Sequence, residues 1–327
     1  MAKIAINGFG RIGRLFFRQV FGDKNLDIVA INDLGDKENL VYLLEHDTVY
    51  GRYEANLKKV SFFQEKDPAK LPWKDLKIDI VVESTGVFES YEKAKVHLRA
   101  GAKRIVLTAP AKDEDGEDKK TVLMGVNEKD FKTVVLTSNG SCTTNAASPV
   151  IQIMNETIGI KKAILNTVHG YTATQNLVDG STKGNDFRRG RAATQNIVPS
   201  TTGAANAVTR VIKELEGKFD GLAMRVPVLS GSIADITFVA KRKTSVKEIN
   251  DIFRASAKEP RWRGILKITE DQLVSSDIIG EPYGAIVDLN FTKVIDGDLV
   301  KILSWYDNEW GYAATLVKHV LGVANSI

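Results

Sequence analysis

The feature that most restricts the possible folds is a rhythm in the first half of the chain, where short β-rich runs alternate with amphipathic helical ones. Residues 3–7 read as a strand, 11–21 as a helix and 27–33 as a strand, with a helix following around Leu40. The alternation continues with strands at 79–85, 104–108, 122–126 and 134–137 and a helix at 91–100. Strands separated by helices predict a parallel sheet covered on both faces. Past a helix that begins near Cys142 and runs through 146–158, the texture changes to longer alternating strands at 163–172, 233–241, 285–293 and 299–305. These suit an antiparallel sheet with one covered face. With 327 residues there is enough chain for two cores, so two closely packed domains are expected.

The turn after the first strand carries Gly8, Gly10 and Gly13 in a G-x-G-x-x-G set. Gly8 would permit a tight turn, Gly10 a close approach of backbone to a pyrophosphate, and Gly13 close packing of helix on strand. Alone, the pattern reads equally as an ordinary glycine turn. Asp33, at the end of the second strand, adds a carboxylate where ribose hydroxyls would be held, although a strand end also takes aspartate simply as a turn residue. A carboxylate there would repel a 2′-phosphate and so favours NAD over NADP.

The single cysteine, Cys142, stands in a polar turn at a helix start. Unpaired backbone N–H groups and the helix dipole there favour a thiolate, whereas a free cysteine in apolar surroundings is only a small buried hydrophobe. His169 closes a strand and is placed either as a base for that thiol or as a structural histidine. Arg189, Arg191 and Arg225 offer planar forks for phosphate or carboxylate, the alternative being exposed arginines with no specific role. The segment 174–195, rich in Gly, Asn, Asp, Thr and Arg, is far longer than an ordinary connection and points to function or to an interface.

Composition removes several classes. A net charge of +4, from 45 basic and 41 acidic residues, is spread along the chain, so nucleic-acid binding is not expected. The densest charged run, 112–120, mixes both signs and reads as a solvated loop. No stretch approaches the roughly 20 apolar residues of a membrane span, and a strand pattern begins within two residues of Met1, so a soluble cytoplasmic protein is expected. One cysteine and four histidines without ligand spacing give no disulfide and no expectation of a metal site.

Taken together, Asn-Gly-Phe-Gly-Arg-Ile-Gly-Arg at 7–14, Ser-Cys-Thr-Thr-Asn at 141–145, the His169 segment, Ser-Thr-Thr-Gly-Ala-Ala at 200–205, Ala-Met-Arg-Val-Pro at 223–227 and Trp-Tyr-Asp-Asn-Glu-Trp-Gly-Tyr at 305–312 closely resemble the phosphorylating glyceraldehyde-3-phosphate dehydrogenase family, in order and over essentially the whole chain. The resemblance implies an α/β chain with a Rossmann-like NAD-binding domain over 1–141, completed by a C-terminal helix within 309–327. It also implies a catalytic and tetramerisation domain over 142–308 with a mixed, largely antiparallel sheet. The homotetramer it implies uses 174–195 as a loop lining a neighbour's cofactor site. For the cofactor, NAD, it implies Arg11 and Ile12 at the pyrophosphate turn with Gly8, Gly10 and Gly13, Asp33 on the ribose, Lys66 near the adenosine, and Thr108 and Asn308 on the nicotinamide side. Thr172 and Arg225 correspond to the site for the substrate phosphate, and Ser141, Thr143, Arg189, Thr202 and Gly203 to the site for inorganic phosphate. Cys142 then adds to the aldehyde, His169 takes a proton as hydride leaves, and inorganic phosphate releases the resulting thioester as an acyl phosphate.

The match departs from the family at Ala146, where many relatives have a second cysteine, and at Gly140 and Gly170, where alanine or serine is usual. Lys66 stands in place of a frequent arginine, keeping charge without the fork. The stretch 180–187 lacks the Leu-Pro pair of many bacterial NAD enzymes. Two rivals remain at this level: an erythrose-4-phosphate dehydrogenase using water in place of phosphate, and a non-catalytic nucleic-acid-binding paralogue.

Overall fold

A computed structural model of the chain describes residues 1–54, 57–182 and 185–327. The chain divides into two compact units, one formed by Met1–Ser141 with Ala313–Ile327 and the other by Cys142–Tyr312.

The first unit is built on seven strands in the spatial order Ser61–Phe63, Leu26–Asn32, Ala2–Asn7, Ile80–Glu83, Arg104–Leu107, Leu136–Ser138 and Lys119–Thr121, every neighbouring pair parallel. A strand covered on both faces must be apolar throughout, and Ile80, Val81 and Val82 are fully buried. On one side Ala5, Ala30 and Val81 pack with Trp73 and Ile78, while Ile105, Leu107 and Leu136 pack with Tyr91 and Ala94. The chain order reverses between Ala2–Asn7 and Ile80–Glu83, and in such sheets ligands bind outside the carboxyl ends of the strands at that point. The helix Trp310–Ala324 delivers its later turns to this unit. There His319 Nε2 lies 2.7 Å from Thr137 Oγ1, the His319 ring meets Phe131 edge-on, and Gly322 sits so close that a Cβ would come within 2.5 Å of the Phe131 ring.

The second unit holds a mixed sheet of seven strands in the order Val198–Thr201, Phe219–Val226, Ile160–Gly170, Ser232–Ala240, Leu299–Tyr306, Ala285–Ile295 and Leu266–Thr269. Two pairings are parallel and the rest antiparallel. The helix Cys142–Thr157 buries Ala146, Ala147, Val150, Ile151 and Met154, and the Ser304 hydroxyl of the sheet donates to the Ala146 carbonyl at 3.2 Å.

Several sequence expectations are corrected. The strand expected at 122–126 lies instead at Lys119–Thr121, and 122–126 is a buried turn. Val122 still donates its N–H to the Ser138 carbonyl, but beyond it Gly125 has φ +77°, Asn127 accepts from the Leu123 N–H, and Glu128 accepts from the Gly125 N–H, so side chains turn the rest of the run out of the sheet. The run 112–120 is more than a solvated loop, because Asp113 accepts the Tyr91 and Glu92 N–H groups and Lys119 and Lys120 enter the edge strand. The helix at 91–100 is broken into Tyr91–Ala94 and Val96–Arg99. Phe219–Val226, which carries Arg225, is a strand that the sequence did not announce.

Candidate active site

In the first unit, the three turn glycines do different work. Gly8 has φ +95° and a Cβ there would fall 2.5 Å from the Thr85 backbone nitrogen, while a Cβ on Gly13 would fall 2.2 Å from the Gly8 carbonyl oxygen. The turn is therefore clamped between the neighbouring strand end and its own helix, at two positions where only glycine fits. A Cβ on Gly10 would meet nothing. That open side faces a cavity of about 500 Å³ lined by Gly8 and Gly10 with Asp33, Lys66, Thr85 and Phe88 among others. The helix Arg11–Val20 begins at this cavity with no side-chain cap and no acidic residue in its first turn, which suits it to an anion. Asp33 accepts the Phe9 N–H (2.6 Å) on one oxygen and the Gly35 N–H (2.8 Å) on the other. Each oxygen keeps a further lone pair for a vicinal diol. A positively polarised helix start, an open glycine and an oriented carboxylate fit a dinucleotide.

The sequence reading did not single out the polar layer beneath this cavity. Asn7 donates to Glu83 Oε2 (2.6 Å), Asn32 donates to Asn7 Oδ1 (2.7 Å), and His97 Nε2 lies 3.0 Å from Glu83 Oε2. The Trp73 indole N–H donates to His97 Nδ1 (3.0 Å), so the neutral ring carries its proton on Nε2 and donates it to the carboxylate. Polar residues at the carboxyl ends of otherwise apolar strands were the available signal. Lys66 is exposed at the rim, and Thr108 follows its strand with both N–H and hydroxyl on the Glu83 carbonyl.

In the second unit, register makes the site. His169 and Arg225 are direct partners on adjacent parallel strands, and Arg225 is flanked on its other side by Val198. His169 Nε2 lies 3.3 Å from Cys142 Sγ, at the first residue of the helix Cys142–Thr157. His169 Nδ1 lies 2.7 Å from the Gly170 carbonyl oxygen and 2.6 Å from Arg225 Nη1. The guanidinium can only donate, so it competes with the Gly170 carbonyl for Nδ1; with Arg225 drawn away, a proton on Nδ1 donated to Gly170 leaves Nε2 as the acceptor that faces the thiol. Gly170 is accounted for by packing, since a Cβ there would come within 2.9 Å of the Val228 carbonyl oxygen. Gly140 has φ +64°, where a side chain would be strained.

The expectation that the helix start alone yields a thiolate is corrected. Burial pushes the Cys142 thiol up, and Arg225 and the Thr143 hydrogen bonds offset only part of that. Burial, followed by the nearby Arg225 charge, pushes His169 down to about 3. Both shifts disfavour the charged forms, because a charge at a crowded site loses more hydration than one helix terminus returns.

Of the remaining residues, Arg189 donates to Thr174 Oγ1 (3.2 Å) and Ser200 Oγ (3.0 Å), and Thr172 Oγ1 lies 3.0 Å from Thr174 Oγ1. Thr202 accepts the Ala204 N–H, and Gly203 precedes the helix Ala204–Val211 with open space where a Cβ would be. Thr143 is turned inward onto Tyr306. Arg191, also considered as an anion ligand, pairs instead with exposed Asp179 (2.8 Å). Asn308 is buried, its Oδ1 accepting from Ser232 (2.7 Å) and Ser230 (3.3 Å). Within 174–195, residues 183 and 184 lie outside the described residues. The rest folds back on itself through Gly180 N–H to Gly190 O and Asn176 N–H to Arg189 O. Ser141 closes the first unit just before the cysteine.

A parallel, glycine-turned nucleotide fold in one unit and, in the other, a thiol–imidazole pair with a half-buried arginine define the class: a dehydrogenase that works through covalent catalysis. The family profile described as glyceraldehyde 3-phosphate dehydrogenase, NAD binding domain, matches residues 2–91, and that described as its C-terminal domain matches 141–308. Similar curated relatives are glyceraldehyde-3-phosphate dehydrogenase of Clostridium pasteurianum, 44% identical over 97% of both chains, and that of Streptomyces coelicolor, 43% identical over 99% of both. Glyceraldehyde-3-phosphate dehydrogenase 2 of Bacillus subtilis is 43% identical over 98% of this chain and 96% of its own. The chain belongs to the glyceraldehyde-3-phosphate dehydrogenase family.

Proposed function

We propose that this chain oxidises D-glyceraldehyde 3-phosphate with NAD and inorganic phosphate to 1,3-bisphosphoglycerate, with Cys142 as nucleophile and His169 as base. The observation that carries the residue assignment is the 3.3 Å approach of His169 Nε2 to Cys142 Sγ beside Arg225. The substrate phosphate pairs with Arg225 and Thr172. Drawing the guanidinium onto an anion removes one cause of the depressed His169 basicity, so substrate binding itself readies the base. His169 then takes the thiol proton, and the sulfur adds to the aldehyde carbon. The imidazolium returns that proton to the new alkoxide, giving the hemithioacetal hydroxyl, and the freed His169 then accepts the hydroxyl proton as the hemithioacetal collapses to a thioester on Cys142. NAD, when bound, accepts the hydride. Arg189, with Ser141, Thr202, Gly203 and the backbone N–H of Thr143, receives inorganic phosphate, which attacks the thioester carbon, expels the Cys142 thiolate and leaves as the acyl phosphate.

Gly8, Gly10, Arg11, Ile12, Gly13, Asp33 and Lys66 hold the pyrophosphate and adenosine, and Thr108 and Asn308 serve the nicotinamide. On this reading 1–141 with the helix in 309–327 is the NAD-binding domain and 142–308 the catalytic and tetramerisation domain. A homotetramer is supported by the exposed apolar side chains Leu177, Val178, Phe187 and Ile197 in and beside the long loop. No helix among the described residues is long and apolar enough to cross a membrane, and a cytoplasmic location goes with the proposed reaction. The experiment is a single-turnover burst of NADH equal to the Cys142 content, abolished by Cys142→Ser, with steady turnover that requires inorganic phosphate. Phosphate-independent oxidation of a four-carbon aldose phosphate as the faster reaction would overturn the assignment.

A further inference from the structure

We propose that Tyr306 and Thr167 are positioning residues for Cys142: with Thr143 they form a chain of three hydroxyls whose shared direction decides which pole of the Thr143 hydroxyl faces the sulfur, and which reverses when the thiol ionises. The inference rests on Cys142 being the nucleophile. Thr143 Oγ1 lies 2.8 Å from the Tyr306 hydroxyl, that hydroxyl lies 2.7 Å from Thr167 Oγ1, and Thr167 Oγ1 lies 3.2 Å from the Ile233 carbonyl oxygen. At the other end Thr143 Oγ1 is 4.0 Å from Cys142 Sγ. All three hydroxyl residues are buried, so water does not break the chain.

Each hydroxyl has one hydrogen to give, and the Ile233 carbonyl can only accept. While the sulfur carries its proton, Thr167 therefore donates to Ile233, Tyr306 to Thr167, and Thr143 to Tyr306. Every hydrogen points away from the sulfur, and Thr143 turns a lone pair toward the S–H. The opposite direction, Thr167 to Tyr306 to Thr143 to sulfur, gives up the Ile233 bond and gains an O–H directed at sulfur. A carbonyl is the better acceptor than a thiol, and a thiolate is the better acceptor than a carbonyl. Ionisation thus reverses the chain by hydroxyl rotation, with no proton exchanged among the three oxygens, while the thiol proton passes to His169 Nε2. Tyr306 must keep its proton in both directions, in accord with a phenol that burial holds above its usual range. Its ring also meets His169 edge-on at 5.9 Å, so one side chain touches the base and, through Thr143, the nucleophile. Among the described residues, His169, Arg225 and Tyr306 are the titratable or charged groups facing the sulfur from the strands around it.

Releasing the inner anchor should make the sulfur more acidic, the reverse of what a loosened site would do. Because the chain has one cysteine, the pH dependence of iodoacetamide alkylation of the full-length protein reads this sulfur directly, with no substrate turnover involved. Thr167→Val leaves Tyr306 no acceptor but Thr143, and the alkylation midpoint should fall by about half to one pH unit, one terminal hydrogen bond converted to a pKa difference. Thr167→Ser should restore the wild-type midpoint. Tyr306→Phe keeps the ring against His169 and frees the Thr143 hydrogen, and should lower the midpoint in the same direction, so it serves if Thr167→Val does not fold. A midpoint unchanged or raised in the folded variants, or unrestored by Thr167→Ser, would overturn the proposal. Loss of the NADH burst on its own would overturn the assigned reaction and leave the alkylation profile standing.

Discussion

The two units assemble their sites by different means. In the first, the turn and its carboxylate come from one short stretch: Phe9 and Asp33, joined by a hydrogen bond, are 24 positions apart. In the second, Thr143 and Tyr306 are 163 positions apart, and side chains from four strands and a helix start meet only because the register is correct. A site of the first kind fails when one backbone conformation fails. One of the second kind fails when any of several long-range alignments does.

The largest effect should come from the second unit. Cys142→Ser should reduce kcat by at least about 10³-fold while leaving NAD affinity intact, measured by burst kinetics and by calorimetric titration of NAD. A loss of NAD binding in that variant would break the separation of the two sites. His169→Gln should cost about 10²- to 10³-fold in kcat with little change in NAD affinity, and should flatten the acid limb of the rate profile. In the first unit, Asp33→Ala should weaken NAD by about 10- to 100-fold, the worth of charge-assisted hydrogen bonds to a diol, and should leave Cys142 alkylation unchanged.

Acid stability samples both units at once. Burial holds His319 at about 3, and burial with Arg225 holds His169 at about 3, both below the ordinary 6.5. Between those values the unfolded chain takes up protons that the folded one refuses, so this stability is present above pH 6.5 and drains as pH falls toward 3. Each group contributes a slope of up to about 1.4 kcal/mol per pH unit. His319→Asn should make Tm less steep in pH across that window; an unchanged slope would mean that His319 is not a neutral buried group. The smallest effect is expected at the exposed cavity rim, where Lys66→Ala should raise the KM for NAD by no more than about fivefold, with most of that lost at high salt.

What the sequence disclosed follows the same division. The parallel sheet, the glycine turn and Asp33 were legible because each is encoded locally, by period and by spacing. The Phe219–Val226 strand was obscured by Asp220 and Gly221. Gly221 is there because a Cβ would fall 2.7 Å from the Leu165 carbonyl oxygen, a neighbour far away in the chain. Thr167 and Tyr306 looked like ordinary positions on half-buried strands, and nothing local linked either to Cys142. The direction of the thiol shift was misjudged for a related reason: the helix start is a local fact, whereas crowding around the sulfur is a property of the folded unit.

The helix Trp310–Ala324 has a consequence for synthesis. The parallel sheet emerges from the ribosome first, yet the unit that contains it still lacks Leu316, His319, Val320 and Val323, all buried in the finished protein. Phe131 and Thr137 have no partner in Gly322 and His319 until the whole second unit has been made. The cofactor-binding half is thus begun first and completed last, and a chain halted after residue 312 would present a finished catalytic sheet with an unfinished nucleotide fold.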